Sequence, residues 1–187
     1  MRIVGGEHRG RRLVAPSSAA TRPTSDRVRE TLFDILAHRY GDPVRDARVL
    51  DLFAGTGALG LEALSRGASY CLFVEDASAA RGTIRANVEA LGLTGRTRIF
   101  RRDATRLGDV GNMKSFGLAF ADPPYGRGLG EAALASALAG GWLEPGAVCV
   151  LEEAASANVD LPPGVESLDE RTVGDTKLVI CRAGAAA

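Results

Sequence analysis

Val49-Leu50-Asp51-Leu52-Phe53-Ala54-Gly55-Thr56-Gly57-Ala58-Leu59-Gly60-Leu61-Glu62-Ala63-Leu64 is the stretch that decides the fold. An apolar run reads as a buried strand, and it leads into a glycine-rich turn. The turn opens a helix with Leu59, Ala63 and Leu64 on its inner face. Gly55, Gly57 and Gly60 satisfy the G-x-G-x-x-G spacing. Glycines let a backbone come close to a ligand, and the helix N-terminus offers free N–H groups. A second apolar strand, Tyr70-Cys71-Leu72-Phe73-Val74-Glu75, ends in an acid about twenty residues past the first glycine, where a carboxylate holds ribose hydroxyls. Alone, this fingerprint fits a nicotinamide dinucleotide or any other nucleoside cofactor.

Two features narrow that choice. Asp51 sits at the end of the first strand, ahead of the glycines, where it can meet an ammonium group. A third strand, Thr97-Arg98-Ile99-Phe100-Arg101, runs into Asp103-Ala104, a carboxylate and a backbone N–H able to read an adenine's amino edge.

Downstream, the apolar run Phe116-Gly117-Leu118-Ala119-Phe120-Ala121 ends in Asp122-Pro123-Pro124-Tyr125. Proline fixes φ and carries no N–H, so the carbonyls here need partners from elsewhere. A proline carbonyl and the Asp122 carboxylate can both accept from a single NH2 group. Tyr125 can stack on the face of a flat ring, as aromatics do in single-strand nucleic-acid sites. The set suits a flat, amino-bearing ring; the bland alternative is an acidic strand end followed by an ordinary Pro-Pro loop.

Together these motifs resemble the class I S-adenosylmethionine-dependent methyltransferases. The resemblance implies S-adenosyl-L-methionine as cofactor. It assigns the amino-acid end to Asp51, Phe53, Ala54, Gly55, Thr56 and Gly57, the ribose to Glu75 with Asp76, and the adenine to Asp103 and Ala104. Asp122 then borders the cofactor, and Asp122, Pro123, Pro124 and Tyr125 match the amino-methyltransferase signature. The four motifs fall in order over residues 48–126. A dehydrogenase is the alternative left by the glycine fingerprint, since a fold-level pattern does not fix function.

Formal net charge is zero, but its distribution is uneven. Residues 1–29 hold seven arginines (Arg2, Arg9, Arg11, Arg12, Arg22, Arg27, Arg29) against two acids, a balance of +5 that leaves −5 on the rest. A basic segment on a mildly acidic domain is a nucleic-acid footprint, and arginine binds phosphate bidentately. The bland alternative is a solvated basic surface. Arg2-Ile3-Val4 and Arg12-Leu13-Val14 flank a Gly5–Gly10 turn and predict a small hairpin. A polar loop, 16–20, follows. Thr24 or Ser25 then caps a helix with Asp26 in its first turn and Val28, Leu32, Ile35 and Leu36 as its buried stripe.

This arm, with Arg22-Pro23-Thr24-Ser25-Asp26-Arg27-Val28-Arg29-Glu30, resembles that of the bacterial 16S ribosomal RNA guanine-N2 methyltransferases, the small-subunit methyltransferase D family. With the core motifs the likeness spans nearly the whole chain. It implies methylation of the exocyclic N2 of one guanine in 16S rRNA, within the 30S subunit or an assembly intermediate. Arg9, Arg11, Arg12, Arg22, Arg27 and Arg29 are the expected RNA contacts. Acid-led tetrapeptides are shared with adenine-N6 and cytosine-N4 enzymes, so the base rests on the family likeness. A non-catalytic nucleic-acid-binding module is the alternative from another class; intact Asp122, Tyr125, Glu75 and Asp103 argue against it.

The expected architecture is α/β: a single Rossmann-like class I methyltransferase domain over 25–183, with a basic RNA-binding extension at 1–24 and a tail at 184–187. Its seven-stranded sheet is mostly parallel with an antiparallel last strand. Leu129–Leu138 predicts a helix, Trp142–Gly146 a turn, Ala147–Glu152 a fifth strand, and 154–164 a loop. Glu166–Val173 and Thr176–Arg182 predict a hairpin turning at Gly174-Asp175. Cys71, Cys149 and Cys181 all fall on strands and read as reduced, cytosolic packing residues, which implies a cytoplasmic protein. No apolar run is long enough for a bilayer, and the start has no signal-peptide core. His8 and His38 lack paired ligand spacing, so no metal is expected, and a monomer is.

Overall fold

The computed structural model describes residues 1–15 and 24–184. Four helices, α1 (Asp26–Arg39), α2 (Ala58–Ser65), α3 (Ser78–Ala90) and α4 (Leu129–Ala139), flank one sheet. Its strands are β1 (Arg48–Leu52), β2 (Tyr70–Val74), β3 (Thr97–Phe100), β4 (Phe116–Ala121), β5 (Leu143–Ala154), β6 (Val165–Val173) and β7 (Thr176–Ala183). They lie in the order β3-β2-β1-β4-β5-β7-β6. Strands β1 to β5 pair in parallel, and β7 runs antiparallel between β5 and β6. The expected class I methyltransferase sheet is therefore present.

The chain steps outward from β1 to β2 to β3, then returns to the other side of β1 as β4. That reversal opens a crevice at the carboxyl ends of β1 and β4, where open α/β sheets bind ligands. Side chains alternate between two cores. One face packs Val49, Leu118 and Phe120 against α1, α2 and α3; the other packs Leu50, Ala119 and Cys149 against α4 and Trp142.

Helix α1 starts where its caps predict. Ser25 Oγ accepts from Val28 N at 3.2 Å, with Asp26 in the first turn and His38 and Arg39 in the last. Val28, Leu32 and Leu36 are buried as expected, but Phe33 joins them and Ile35 is only half-buried. Phe33 meets Phe120 with ring centroids 5.5 Å apart.

The N-terminal arm folds back on itself through one antiparallel bridge, Arg2 to Arg12, with Ile3 N donating to the Arg11 carbonyl at 2.9 Å, Gly10 N to the Ile3 carbonyl at 2.8 Å and Leu13 N to the Met1 carbonyl at 3.2 Å. Two expectations need correcting. Residues 143–146 are not a turn but the start of β5, with Phe116 opposite Leu143 across an irregular register. Trp142 is core, as expected, donating from Nε1 to the Gly108 carbonyl at 2.7 Å. Helix α3 is absent from the sequence reading altogether, although Ile84 and Val88 mark its buried side. The expected loop at 16–20 lies outside the described residues, as does the tail beyond Gly184. Among the described residues, no helix is long and apolar enough to cross a membrane.

The basic segment packs into the same core as the sheet: Ile3 and Leu13 are buried with Leu32, Leu61 and Val88. Its backbone is pinned by buried polar side chains. Glu62, fully buried on α2, accepts from Val4 N at 2.9 Å, Gly5 N at 2.8 Å and Arg66 Nε at 2.8 Å. Gly6 lies so close to α2 that a Cβ there would overlap the Ser65 carbonyl. All eight residues of α2 are buried as a result, between sheet and arm.

Removing the Glu62 carboxylate strands two backbone N–H groups and the Arg66 guanidinium. Glu62→Ala is expected to destabilise the protein by about 2–4 kcal/mol, and Glu62→Gln by less. Urea unfolding of the two variants measures this; equal, sub-kilocalorie losses would show the arm to be loosely held.

Candidate active site at the carboxyl ends of the parallel strands

The glycine loop leaves β1 in a strained path. Phe53 has φ +56°, Gly55 +57° and Gly57 +80°, the left-handed region that favours glycine. Gly60 serves packing: a Cβ there would sit 2.5 Å from Cys71 Sγ and from Phe73. Asp51, 1% exposed, accepts from Gly60 N at 2.9 Å and so holds the start of α2 to β1. Burial pushes its carboxyl up to about 8, against the pull of the Gly60 N–H.

Glu75 is half-buried at the end of β2. It accepts from Gly55 N at 2.9 Å and from Ala77 N at 2.8 Å, which ties the second strand end to the loop. Asp76 is exposed beside it, and Ala54 and Thr56 line the buried side of the loop. Asp103 caps a 3-10 turn, Ala104–Arg106, by accepting from Thr105 N at 2.8 Å and Thr105 Oγ1 at 2.7 Å. Those bonds hold its carboxyl below the usual range. Ala104 is buried. The expected cofactor residues thus lie on one rim, Asp51 to Asp103 and Ala104 at the ends of β1, β2 and β3 and Asp122 after β4. The donor set fits S-adenosylmethionine: a helix N-terminus on a glycine loop, and carboxylates at the two flanking strand ends.

The tetrapeptide leaves β4 on the same rim, with Asp122 N 3.4 Å from the Leu52 carbonyl. The Thr24 hydroxyl lies between two carboxylates, 2.8 Å from Asp122 Oδ2 and 2.9 Å from Glu152 Oε2, and has one proton to give to either. The Tyr125 hydroxyl donates to Glu152 Oε1 at 2.6 Å and lies 3.3 Å from Thr176 Oγ1. Gly126 N donates to Glu153 Oε1 at 2.9 Å. Burial, then the charge of Glu152, holds the Asp122 carboxyl well above its ordinary range, with the Thr24 bond opposing. The Tyr125 phenol is raised by burial and by its bond to Glu152. Pro123 is buried, Pro124 exposed and Tyr125 half-buried. A cavity of about 170 Å³ adjoins this group, lined by Thr24, Arg27, Tyr125, Glu152, Asp175 and Thr176 among others.

Thr24, Glu152, Glu153 and Thr176 are the polar residues that sequence reasoning missed. A signal existed for Glu152. It follows Val148-Cys149-Val150-Leu151 at the end of a parallel strand, and Ala121 pairs with Leu151, so Asp122 and Glu152 stand side by side.

The arginines divide. Arg9, Arg11, Arg12 and Arg27 are exposed, although Arg11 also donates to the Ala90 carbonyl at 2.9 Å. Arg29 is a correction. It has no exposed surface, and it donates to the Thr24 carbonyl at 2.8 Å, to Asp26 at 2.8 Å and to the Arg2 carbonyl. It braces the site loop and cannot reach RNA. Arg22 lies outside the described residues.

Comparison with known proteins places the chain in a family. Residues 1–182 match the family described as Conserved hypothetical protein 95. The chain belongs to that family. Ribosomal RNA small subunit methyltransferase D of Escherichia coli K12 is 38% identical over 174 residues, 92% of this chain and 84% of that one. The Haemophilus influenzae protein of the same name is 33% identical over 176 residues, 93% and 89% of the two chains. Among solved structures, yhhF from Escherichia coli superposes with a TM-score of 0.83 at 34% identity, covering 99% of this chain and 98% of that one. The fold is also shared with the Thermus thermophilus 16S rRNA N2 G1207 methyltransferase RsmC in complex with AdoMet and guanosine. There the TM-score is 0.62 at 24% identity, over 89% of this chain and 45% of that one.

Asp51 has a measurable consequence in this family fold. Its folded pKa, about 8, exceeds the unfolded value of about 3.9, so the folded state keeps a proton that the unfolded chain has released. Stability is present below about pH 4 and is lost as pH rises towards about 8. The thermal midpoint of the ligand-free protein is expected to fall across that window, and Asp51→Asn to flatten the fall. A variant with the parent's slope would show that Asp51 titrates normally.

Proposed function

We propose that this protein methylates ribosomal RNA with S-adenosylmethionine, at the exocyclic N2 amino group of one guanine in the 16S RNA of the small subunit. One observation carries the reading: the Asp122-to-Tyr125 tetrapeptide and the glycine loop stand on adjacent strands of one rim, β4 and β1. The names of the Escherichia coli and Haemophilus influenzae relatives support ribosomal RNA as substrate. The exposed Arg9, Arg11, Arg12 and Arg27 support docking on its phosphates.

When bound, the cofactor supplies an activated sulfonium methyl, so no protein nucleophile is needed. Asp51 and the Phe53–Gly57 backbone would hold its amino-acid end, Glu75 and Asp76 its ribose, Asp103 and Ala104 its adenine. The protein's task is then to place an amine in line. An exocyclic amine is a poor nucleophile because its lone pair is conjugated into the ring. Asp122 and the Pro123 carbonyl can accept from its two N–H bonds and draw nitrogen towards sp3 geometry. Tyr125, its hydroxyl held by Glu152, presents a ring on which the extruded base can stack. A ribosomal substrate would place the protein in the cytoplasm.

Asp122→Ala is expected to leave S-adenosylhomocysteine affinity nearly unchanged while slowing methyl transfer by at least about a hundredfold. The assay is methyl incorporation into small subunits from cells lacking the gene, followed by nucleoside mass spectrometry. N2-methylguanosine is the expected product. N6-methyladenosine or N4-methylcytidine would move the assignment to another base, and parent-rate transfer by Asp122→Ala would displace the active site.

The surface arginines are tested by charge, not by truncation, because Ile3 and Leu13 belong to the core. Replacing Arg9, Arg11 and Arg12 by Gln is expected to flatten the salt dependence of RNA binding by up to about 2 in log–log slope, from roughly −0.7 per contact. Cofactor affinity, by calorimetry, stays at the parent value. An unchanged slope would make this surface merely solvated.

A further inference from the structure

The Thr24 hydroxyl has one proton and two carboxylates within hydrogen-bond distance, Asp122 Oδ2 at 2.8 Å and Glu152 Oε2 at 2.9 Å. If both acids were ionised, the hydroxyl would donate to one and turn its lone pairs against the other. A satisfied arrangement needs one further proton on the pair. With that proton on Asp122, the chain runs Asp122 Oδ2–H to Thr24 Oγ1–H to Glu152 Oε2. The Tyr125 hydroxyl then donates to the Glu152 anion at 2.6 Å. The first member stands at the amine's expected position and the last borders the 170 Å³ cavity.

We propose that Thr24 and Glu152 form a proton relay behind Asp122, so that the proton lost by the methylated amine ends on Glu152. The inference rests on amine methylation at Asp122. Transfer forms the N–CH3 bond from the nitrogen lone pair and breaks the S–CH3 bond, with sulfur keeping the electron pair. Nitrogen is left with one proton in excess. That proton passes to Asp122 Oδ1 as the Oδ2 proton moves to Thr24 and the Thr24 proton to Glu152 Oε2. Asp122 ends neutral, as it began, and the amine product is uncharged. Before the next turnover Glu152 gives its proton to water in the cavity, the Asp122 proton returns from Oδ1 to Oδ2, and the Thr24 hydroxyl turns back to Glu152. The charges of Asp51 of β1 and of Glu152 and Glu153 of β5 act on Asp122, and Arg27 of α1, Tyr125 and Asp175 of the β6–β7 turn line the cavity with Glu152.

The test uses full-length protein, undermethylated small subunits and single-turnover transfer measured across pH. The parent is expected to lose rate at acid pH, as Glu152 becomes protonated and can no longer accept. Thr24→Val should slow transfer by at least about tenfold, and Thr24→Ser, which restores the hydroxyl, should recover most of it. Glu152→Gln should be slow and lack the acid limb, with substrate KM and S-adenosylhomocysteine affinity close to the parent's. Infrared spectra of the ligand-free protein give a second readout: neutral carboxyl absorption at neutral pH, shared with Asp51, that Asp122→Asn diminishes and that Asp51→Asn and Asp122→Asn together abolish. Thr24→Val and Glu152→Gln at the parent rate with the parent's pH profile would overturn the relay, while continued product formation would leave amine methylation standing. A Thr24→Ser variant as slow as Thr24→Val would also overturn it. A parent that methylates no RNA would remove both.

Discussion

Burying carboxylates is the constraint on which this structure turns. Asp51, Glu62 and Glu152 are each 3% exposed or less, and Asp122 is half-buried beside Glu152. A charged carboxylate in a dry interior is costly unless hydrogen bonds replace its water. The partners come from segments that are not themselves sheet: Gly60 N for Asp51, the Val4 and Gly5 amides with Arg66 for Glu62, Thr24 and Tyr125 for Glu152. Each such bond brings a loop or the N-terminal arm to a fixed place. The glycine loop, the arm and the tetrapeptide are ordered by the same demand.

Most of this was legible where a local pattern has one physical solution. The strand–glycine–helix unit at 49–64 and the acid following β2 come together as their pattern predicts, with Glu75 accepting from the Gly55 amide. The hairpin turning at Gly174-Asp175 was legible for the same kind of reason, and β6 and β7 form on either side of it. The burial of Cys71, Cys149 and Cys181 followed from their places in apolar strands. What escaped depended on distant partners. Arg29 looks like its neighbour Arg27 in sequence. Only the fold shows that its guanidinium is spent on the carbonyls of Thr24 and Arg2. Thr24 looked like a helix cap and is not one: Ser25 caps, and Thr24 turns inward to two carboxylates 98 and 128 residues away.

The arm shows the same limit. Charge marked it as a surface for RNA, and its exposed arginines fit that. Charge could not reveal that its other side is structural. The Asn87 carboxamide accepts from Val14 N at 2.7 Å and donates to the Val14 carbonyl at 3.3 Å and to the Thr56 carbonyl at 3.1 Å. One side chain therefore clamps the arm and the glycine loop together. Met1 Sδ adds a contact at 3.4 Å with the Thr56 hydroxyl. The segment that carries the exposed arginines is thus tied through Asn87 to the glycine loop.

Such proximity explains why the hydroxyl of Tyr125 matters as well as its ring. A ring alone could stack on a base from several directions. Here its hydroxyl is held 2.6 Å from Glu152, whose other oxygen is held by Thr24, whose backbone carbonyl is held by Arg29. The orientation of the stacking surface is thus set from α1 and β5, not from the Pro-Pro loop that carries it. Pro123 and Pro124 restrict that loop, but a fixed φ orients only the backbone. The carboxylate chain supplies the remaining side-chain constraint, and it does so with the groups that surround the Asp122 acceptor. Tyr125, Glu152, Thr24 and Asp122 are thus one hydrogen-bonded unit, so on the proposed function the base and the proton acceptor would be positioned together.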